Sequence, residues 1–243
     1  MGEACADFQD AALTDLNTKR VECDEIWSFC YSKQKNIPDE HQGTYGYGDV
    51  WTWTAIDADT KLVPSWLVGE RTQGDCYVFL RDLQTRLLPG QRIELSADGF
   101  GAYPRVVDAL WGEHIDFAQI IKEYSDPTRD EARKYSPAKN CTVTEIKVQS
   151  GKPDRDHIST SYVERQNLTM RMGMRRFTRL KNGFSKKVEN LTHAVSLHYM
   201  HYNFGRPHET LNKANDGAKT TPAMAAGKSD RMCSLTDIAG LLD

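Results

Sequence analysis

Long apolar runs are missing from this chain. Nothing in its 243 residues approaches the ~20 consecutive apolar residues of a membrane-spanning helix. Residues 1–20, MGEACADFQDAALTDLNTKR, have neither a basic start nor an apolar core, so they do not read as a signal peptide. A soluble, cytoplasmic protein with no membrane partner is therefore expected. Cysteine is present but unclustered. Cys5, Cys23, Cys30, Cys76, Cys141 and Cys233 contain no C-x-x-C pair and no zinc-like Cys/His grouping. Reduced thiols without a disulfide framework are expected. A strong net charge is also absent. The balance of −3 excludes a uniformly basic, DNA-coating protein. Internal repeats and low-complexity tracts are absent too.

What remains is an ordinary globular composition, long enough for one sizeable domain with appendages. Alternation predicts a strand over 21–31. Cys23, Glu25, Trp27 and Phe29 share one face; Glu22, Asp24, Ile26 and Ser28 share the other. A polar, Gly-rich loop follows at 32–48. Strands are predicted over 49–57 and 61–69, joined by the turn residues ADTK, which gives an antiparallel meander. Residues 72–88 carry Cys76, Phe79, Leu80, Leu83 and Leu87 at helical spacing, and Pro89-Gly90 ends that helix. A strand over 92–97, a helix over 103–110 and a strand over 115–121 come next. That order adds parallel strands to a mixed sheet.

Residues 122–160 read as a long polar connection, with at most a short extended piece over 142–148. Helices are predicted over 161–180 and 186–203. Gly173 then falls inside a helix, at a cost of about 1 kcal/mol. The organisation expected is a helical connector over 1–20, a core over 21–205 with a polar insertion at 122–160, and a flank over 206–243.

Three acidic residues stand out, each where a strand ends or a helix begins or, for Asp24, within a strand that is largely apolar. Asp24 lies in VECDEIW, Asp98 in IELSADGFGAYP and Glu164 in ISTSYVERQNLTMR. A strand carboxylate is costly to bury unless it is paired or metal-bound. Asp98 precedes Gly99, and taken alone D-G reads as a turn. Ser161-x-x-Glu164 also fits a capping box. Brought together, three carboxylates repel one another, and divalent metal relieves that repulsion. Carboxylate-bound metal pairs are the usual device for in-line displacement at phosphorus. The 161–180 helix would place Glu164, Asn167, Leu168, Arg171 and Arg175 on one stripe. Val163, Met170, Met174 and Phe177 would form the adjoining apolar stripe.

Positive charge is concentrated nearby. Arg165, Arg171, Arg175, Arg176, Arg179, Lys181, Lys186 and Lys187 follow one another with no acidic residue between them. Most such runs are solvated faces. This one starts beside Glu164, so it reads as a track for a phosphate backbone. Trp51, Trp53 and Trp66 alternate on strands and read as core. His157 precedes the Glu164 helix, close enough in sequence to approach a leaving oxygen, although a lone loop histidine is usually solvated. His193, His198 and His201 fall near helical spacing and read as packing.

The separations of the acids, 74 (98 − 24) and 66 (164 − 98), and the element order resemble the ribonuclease-H-like cores of DDE transposases and retroviral-type integrases. Four local blocks are similar to transposases of the insertion-sequence-one type: Asp24-Glu25-Ile26-Trp27-Ser28-Phe29, Trp53-Thr54-Ala55-Ile56-Asp57, Asp98-Gly99-Phe100-Gly101-Ala102-Tyr103 and Glu164-Arg165-Gln166-Asn167-Leu168. The tail from His201 to His208, HYNFGRPH, resembles the flank of integrase-type cores.

The resemblance implies a five-stranded ribonuclease-H-like α/β sheet with helices on both faces. It implies Asp24, Asp98 and Glu164 as catalytic ligands of two Mg²⁺ (or Mn²⁺) ions. It implies DNA contacts from Asn167, Arg171, Arg175, Arg176, Arg179 and Lys181. The partners would be element ends and target DNA. A homo-oligomer, with a dimer favoured, would act at the nucleoid of a prokaryotic cytoplasm. One departure is clear. Such transposases carry an N-terminal zinc-binding and helix-turn-helix part, and this sequence opens in what resembles the connector after it. A catalytic core is therefore expected, with a nuclease or resolvase of the same fold, or a non-catalytic DNA-binding regulator, as alternatives.

Overall fold

The computed structural model describes residues 1–125, 140–178 and 182–242, the side chains of 124, 125 and 140–144 apart. Helix α1 (Gly2–Ala12) leads into strand β1 (Arg20–Cys30). Strands β2 (Gly48–Asp57) and β3 (Ser65–Gly69) follow. Next come helix α2 (Gln73–Arg86), strand β4 (Ile93–Asp98), helix α3 (Tyr103–Trp111) and strands β5 (Ile115–Ser125) and β6 (Asn140–Ser150). Helices α4 (Ser161–Gly173) and α5 (Val188–Met200) are succeeded by the short α6 (Glu209–Ala214), α7 (Pro222–Ala225) and α8 (Leu235–Ala239). Among the described residues, no helix is long and apolar enough to cross a membrane.

One mixed α/β sheet runs in the order β3-β2-β1-β4-β5-β6. β1, β2 and β3 form the antiparallel meander. β1, β4 and β5 are parallel, and β6 returns antiparallel to β5. The pleat of β1 sorts its side chains to two cores. Val21 and Cys23 join a cluster with Phe79, Leu80 and Leu83 of α2 and Val106 and Val107 of α3. Ile26 and Cys30 join a second cluster with Val163 and Met170 of α4 and Leu191 and Val195 of α5. Helices therefore cover both faces. α2 starts where Thr72 accepts the Asp75 amide at 3.1 Å, an N-cap that satisfies one of the unpaired donors of the first turn. Cys5, Cys23, Cys30 and Cys76 are buried free thiols and Cys233 a half-buried one; Cys141 lies outside the described side chains.

Several expectations are corrected. The sheet has six strands, not five, because the short piece expected over 142–148 is a full strand on the sheet edge. Ile146 and Val148 stay 48% and 46% exposed. This edge is held by backbone pairing to β5 more than by apolar burial, so its sequence carries little hydrophobic signal. β3 begins only at Ser65, because the backbone before it pairs with a side chain instead. The buried Asn203 amide accepts from the Val63 N–H at 2.9 Å and donates to the Val63 carbonyl at 2.9 Å. The helix expected over 161–180 ends at Gly173. Met174 is extended (φ −122°, ψ 111°), and a 3₁₀ turn covers Arg175–Phe177. Gly173 is thus the last helical residue, where a poor helix former costs little. The expected stripe breaks there, and Arg175 leaves the face that carries Arg171.

α1 is packed into the body of the molecule. A Cβ on Gly2 would lie 2.3 Å from the Cβ of His193 on α5. Buried Gln9 donates to the carbonyls of Cys5 (2.9 Å) and Ser196 (3.2 Å).

Candidate metal centre

Two parallel strands bring Asp24 and Asp98 side by side. The β1–β4 register pairs Cys23 with Ala97. One residue further along both strands stand Asp24 and Asp98, at the same offset of 74 (97 − 23 and 98 − 24). The carboxyl ends of parallel strands are where α/β sheets open a crevice. Asp98 also closes the turn after β4: its Oδ1 accepts the Phe100 amide at 3.0 Å. Gln119 of β5 donates to the Asp98 and Phe100 carbonyls at 2.8 and 3.0 Å.

Helix α4 is bound to β1 at two points on one face of that strand. Glu22 Oε2 accepts the backbone N–H groups of Tyr162 (2.7 Å) and Val163 (3.1 Å). These are first-turn donors, so a carboxylate caps the positive end of the helix. Two residues along, Asp24 Oδ2 accepts from Asn167 Nδ2 at 2.8 Å. The capping box expected from Ser161-x-x-Glu164 does not form. Thr160 is the N-cap residue, and Glu164 Oε1 instead accepts the Thr160 hydroxyl at 2.7 Å and pairs with the Lys122 ammonium. Lys122 follows a register shift between β5 and β6 at Ile121/Lys122, the kind of irregularity that re-aims a side chain.

Asp24, Asp98, Glu164, Asn167 and Arg171 line one cavity of about 850 Å³, together with Glu25, Trp51, Arg71 and Lys122. Ligand oxygens of Asp24, Glu25 and Asp98 all lie within 4.8 Å of one another. Glu164 stands on the wall beside this group. Glu25 points to the opposite face of β1 from Asp24. Its Oε1 accepts from Tyr103 Oη at 2.5 Å and its Oε2 from Arg71 Nε at 3.1 Å. Arg71 also reaches Asp98 Oδ2 at 3.1 Å. The same guanidinium lies 4.5 Å from the Phe100 ring centroid and 5.0 Å from that of Trp51.

This crowding raises the affinity of the site for positive charge. Burial, then Asp98, pushes the Asp24 carboxyl up to about 7. Burial, then Asp98, pushes Glu25 up to about 8, against the Tyr103 hydrogen bond and the Arg71 charge. Carboxylates that are costly to ionise in one another's company are what a bound dication stabilises. The donor set fits a hard, oxygen-seeking ion such as Mg²⁺ or Mn²⁺. A further oxygen is at hand: Asn167 Oδ1 is buried without a hydrogen-bond partner.

Four described cations of the basic run line three different cavities. Arg171 lines the acidic cavity. Arg165 lines a different cavity, on another face of α4. Arg175 and Arg176 line a third, largely apolar one, and Arg176 donates to Ser185 Oγ at 2.6 Å. Arg179 and Lys181 lie outside the described residues. His157 is paired with Asp154 at 3.2 Å and lines none of the acidic cavity. His198 is held down to about 4 by burial, and its Nε2 lies 3.2 Å from Gln166 Nε2. Trp53 is fully buried, whereas Trp51 is half-buried at the acidic cavity.

Glu22, Glu25, Arg71 and Lys122 were not legible as site residues. The run Glu22-Cys23-Asp24-Glu25 did carry a signal, since three acids inside an otherwise apolar strand each need a partner. Arg71 and Lys122 carried none, as Arg71 sits between a predicted strand and a predicted helix and Lys122 opens the long polar connection. A scan against protein-family models and a search of curated proteins each return no match to this chain.

Proposed function

We propose that the chain cuts and joins DNA strands in a metal-dependent reaction, as the catalytic core of a DDE-type transposase with a ribonuclease-H-like sheet. The observation that carries this reading is the acidic cavity. Asp24 and Asp98 stand at neighbouring parallel strands, and Glu164 comes to the same cavity from a helix with a cation, Arg171, further along. The strand order, an antiparallel meander with two parallel strands added beside β1, supports the fold assignment. The β6 edge is an addition to it.

Asp24, Asp98 and Glu164 would hold two Mg²⁺ or Mn²⁺ ions, which when bound activate the attacking oxygen and stabilise the leaving one. The chain's own residues do the rest by positioning and charge neutralisation. Asn167 fixes the Asp24 carboxylate, Lys122 holds Glu164, and Arg71 holds Asp98. Arg171, on the cavity wall, would contact a phosphate there, since a guanidinium suits planar, bidentate contact. The DNA would be an element end and then a target, handled by a dimer at the prokaryotic nucleoid.

The test is a strand-transfer assay with end-labelled duplex DNA and Mg²⁺ or Mn²⁺. Wild-type protein is expected to release a 3′-OH end and join it to a second duplex. Asp24→Asn, Asp98→Asn and Glu164→Gln are expected to do neither while still binding DNA. Hydrolysis without joining would favour the nuclease or resolvase reading, and full binding with no cleavage by wild type would favour the regulator.

A further inference from the structure

Helix α4 borders two cavities with different faces. Glu164, Asn167, Leu168 and Arg171 line the acidic one. Tyr162, Arg165, Gln166 and Thr169 line a smaller one of about 310 Å³, whose other walls include Lys61, Arg206 and His208. The second cavity has the opposite charge. Lys61 is only 5% exposed, at φ +61°, a backbone conformation rare for a residue with a side chain. Its ammonium donates to the Ala58 carbonyl and lies 3.5 Å from the Tyr162 ring centroid. Among the described residues, no carboxylate lies within ion-pair distance of Lys61, Arg165 or Arg206. Glu209, on the cavity wall, is already paired with Lys213 at 2.7 Å. His208 Nδ1 is buried and has no hydrogen-bond partner.

A buried cation with no carboxylate in ion-pair reach is costly, and so is an orphaned ring nitrogen; Glu22 acts on Lys61 only at longer range. Both costs disappear if an oxyanion sits among these groups. We propose that this cavity is an oxyanion site that takes one phosphate group, held by Lys61, Arg165, Arg206 and the His208 ring. The phosphate is either a backbone phosphodiester of DNA or free inorganic phosphate. The site needs neither metal nor cleavage, so it stands apart from the function proposed above. Burial first, then Lys61 and Arg206, hold the His208 imidazole below its ordinary range, with Arg165 adding to this and Glu209 opposing it. A bound anion offsets these cations and favours imidazolium, so His208 adds to binding once it is protonated.

The test is calorimetric titration of inorganic phosphate into the full chain, without metal, with chloride at matched ionic strength as control. Saturable binding of one phosphate is expected, weakened about tenfold or more in Arg206→Gln, and its pH profile, which includes the titration of phosphate itself, is expected to differ between wild type and His208→Asn by the loss of the imidazolium contribution at the acidic end. Arg206 is exposed, so this variant is expected to melt like wild type, whereas Lys61 is too buried to be a clean test. Arg165→Gln provides a second exposed variant. Duplex DNA that abolishes phosphate binding identifies a backbone phosphate as the natural occupant; DNA that leaves it unchanged identifies free phosphate. Absence of phosphate binding beyond chloride, or unaltered affinity in folded Arg206→Gln and Arg165→Gln, overturns the proposal.

Discussion

Glu22, Asp24 and Glu25 are neighbours on one strand with three different tasks. Glu22 caps a helix, Asp24 faces the cavity, and Glu25 is locked between Tyr103 and Arg71. The difference lies in the pleat and in the partners each face supplies. Asp24 has a folded-state pKa above its unfolded value, so its contribution to stability is present below the unfolded value of 3.8 and is lost as pH rises through about 7. Asp24→Asn removes that loss and keeps an acceptor for Asn167. The variant is therefore expected to melt above wild type at pH 8 and to show a flatter stability profile between about pH 4 and 7, where each kcal/mol regained is worth about 2–4 °C. Thermal melts across that range check it, and a lower melting temperature at pH 8 would mark Asp24 as a structural pair instead.

Among the elements, α4 decides the site, because it carries Glu164, Asn167 and Arg171 together. Its placement depends on Glu22. Glu22→Ala leaves the first-turn amides of Tyr162 and Val163 without their acceptor, a loss of about 1–3 kcal/mol. Removing a buried carboxylate returns part of this, since burial raises the Glu22 pKa. A melting temperature lower by a few degrees is expected, with faster amide exchange at residues 162 and 163 than in wild type. Exchange unchanged at those two positions would show that other contacts hold the helix. Much of the element pattern was legible. α2 obeyed simple periodicity because it buries one face, and β1, β2 and β4 showed as short, largely apolar runs because both faces of the sheet are covered. The end of α4 was not, because the apolar residues Met174 and Phe177 continue the helical spacing through the break at Gly173. β6 was not, because an exposed edge strand buries too little to mark itself. Asp24, Asp98 and Glu164 could be named from local blocks, whereas Lys122 and Arg71 meet them only through long-range packing.

For the whole molecule, Arg165, Arg171, Arg175 and Arg176 line three separate cavities. Arg171 lines the acidic cavity and Arg175 lines another, so the proposed DNA path favours contact with Arg171. Each duplex phosphate contact contributes about 0.9 to the slope of log affinity against log salt. Arg171→Ala is expected to lower that slope by about 0.9, equally across DNA sequences, because phosphates carry no base identity. Arg175→Ala is expected to leave it unchanged, and equal losses in the two variants would return the run to a single track. The proposed chemistry depends on the acidic cavity holding divalent metal. Calorimetric titration of Mn²⁺ into the full chain at pH 8 tests this most directly. Saturable binding by wild type, lost in Asp24→Asn and Asp98→Asn and weakened in Glu164→Gln with all three variants folded, is the predicted result. Absence of Mn²⁺ binding by wild type, or binding that survives Asp24→Asn and Asp98→Asn unchanged, would contradict it.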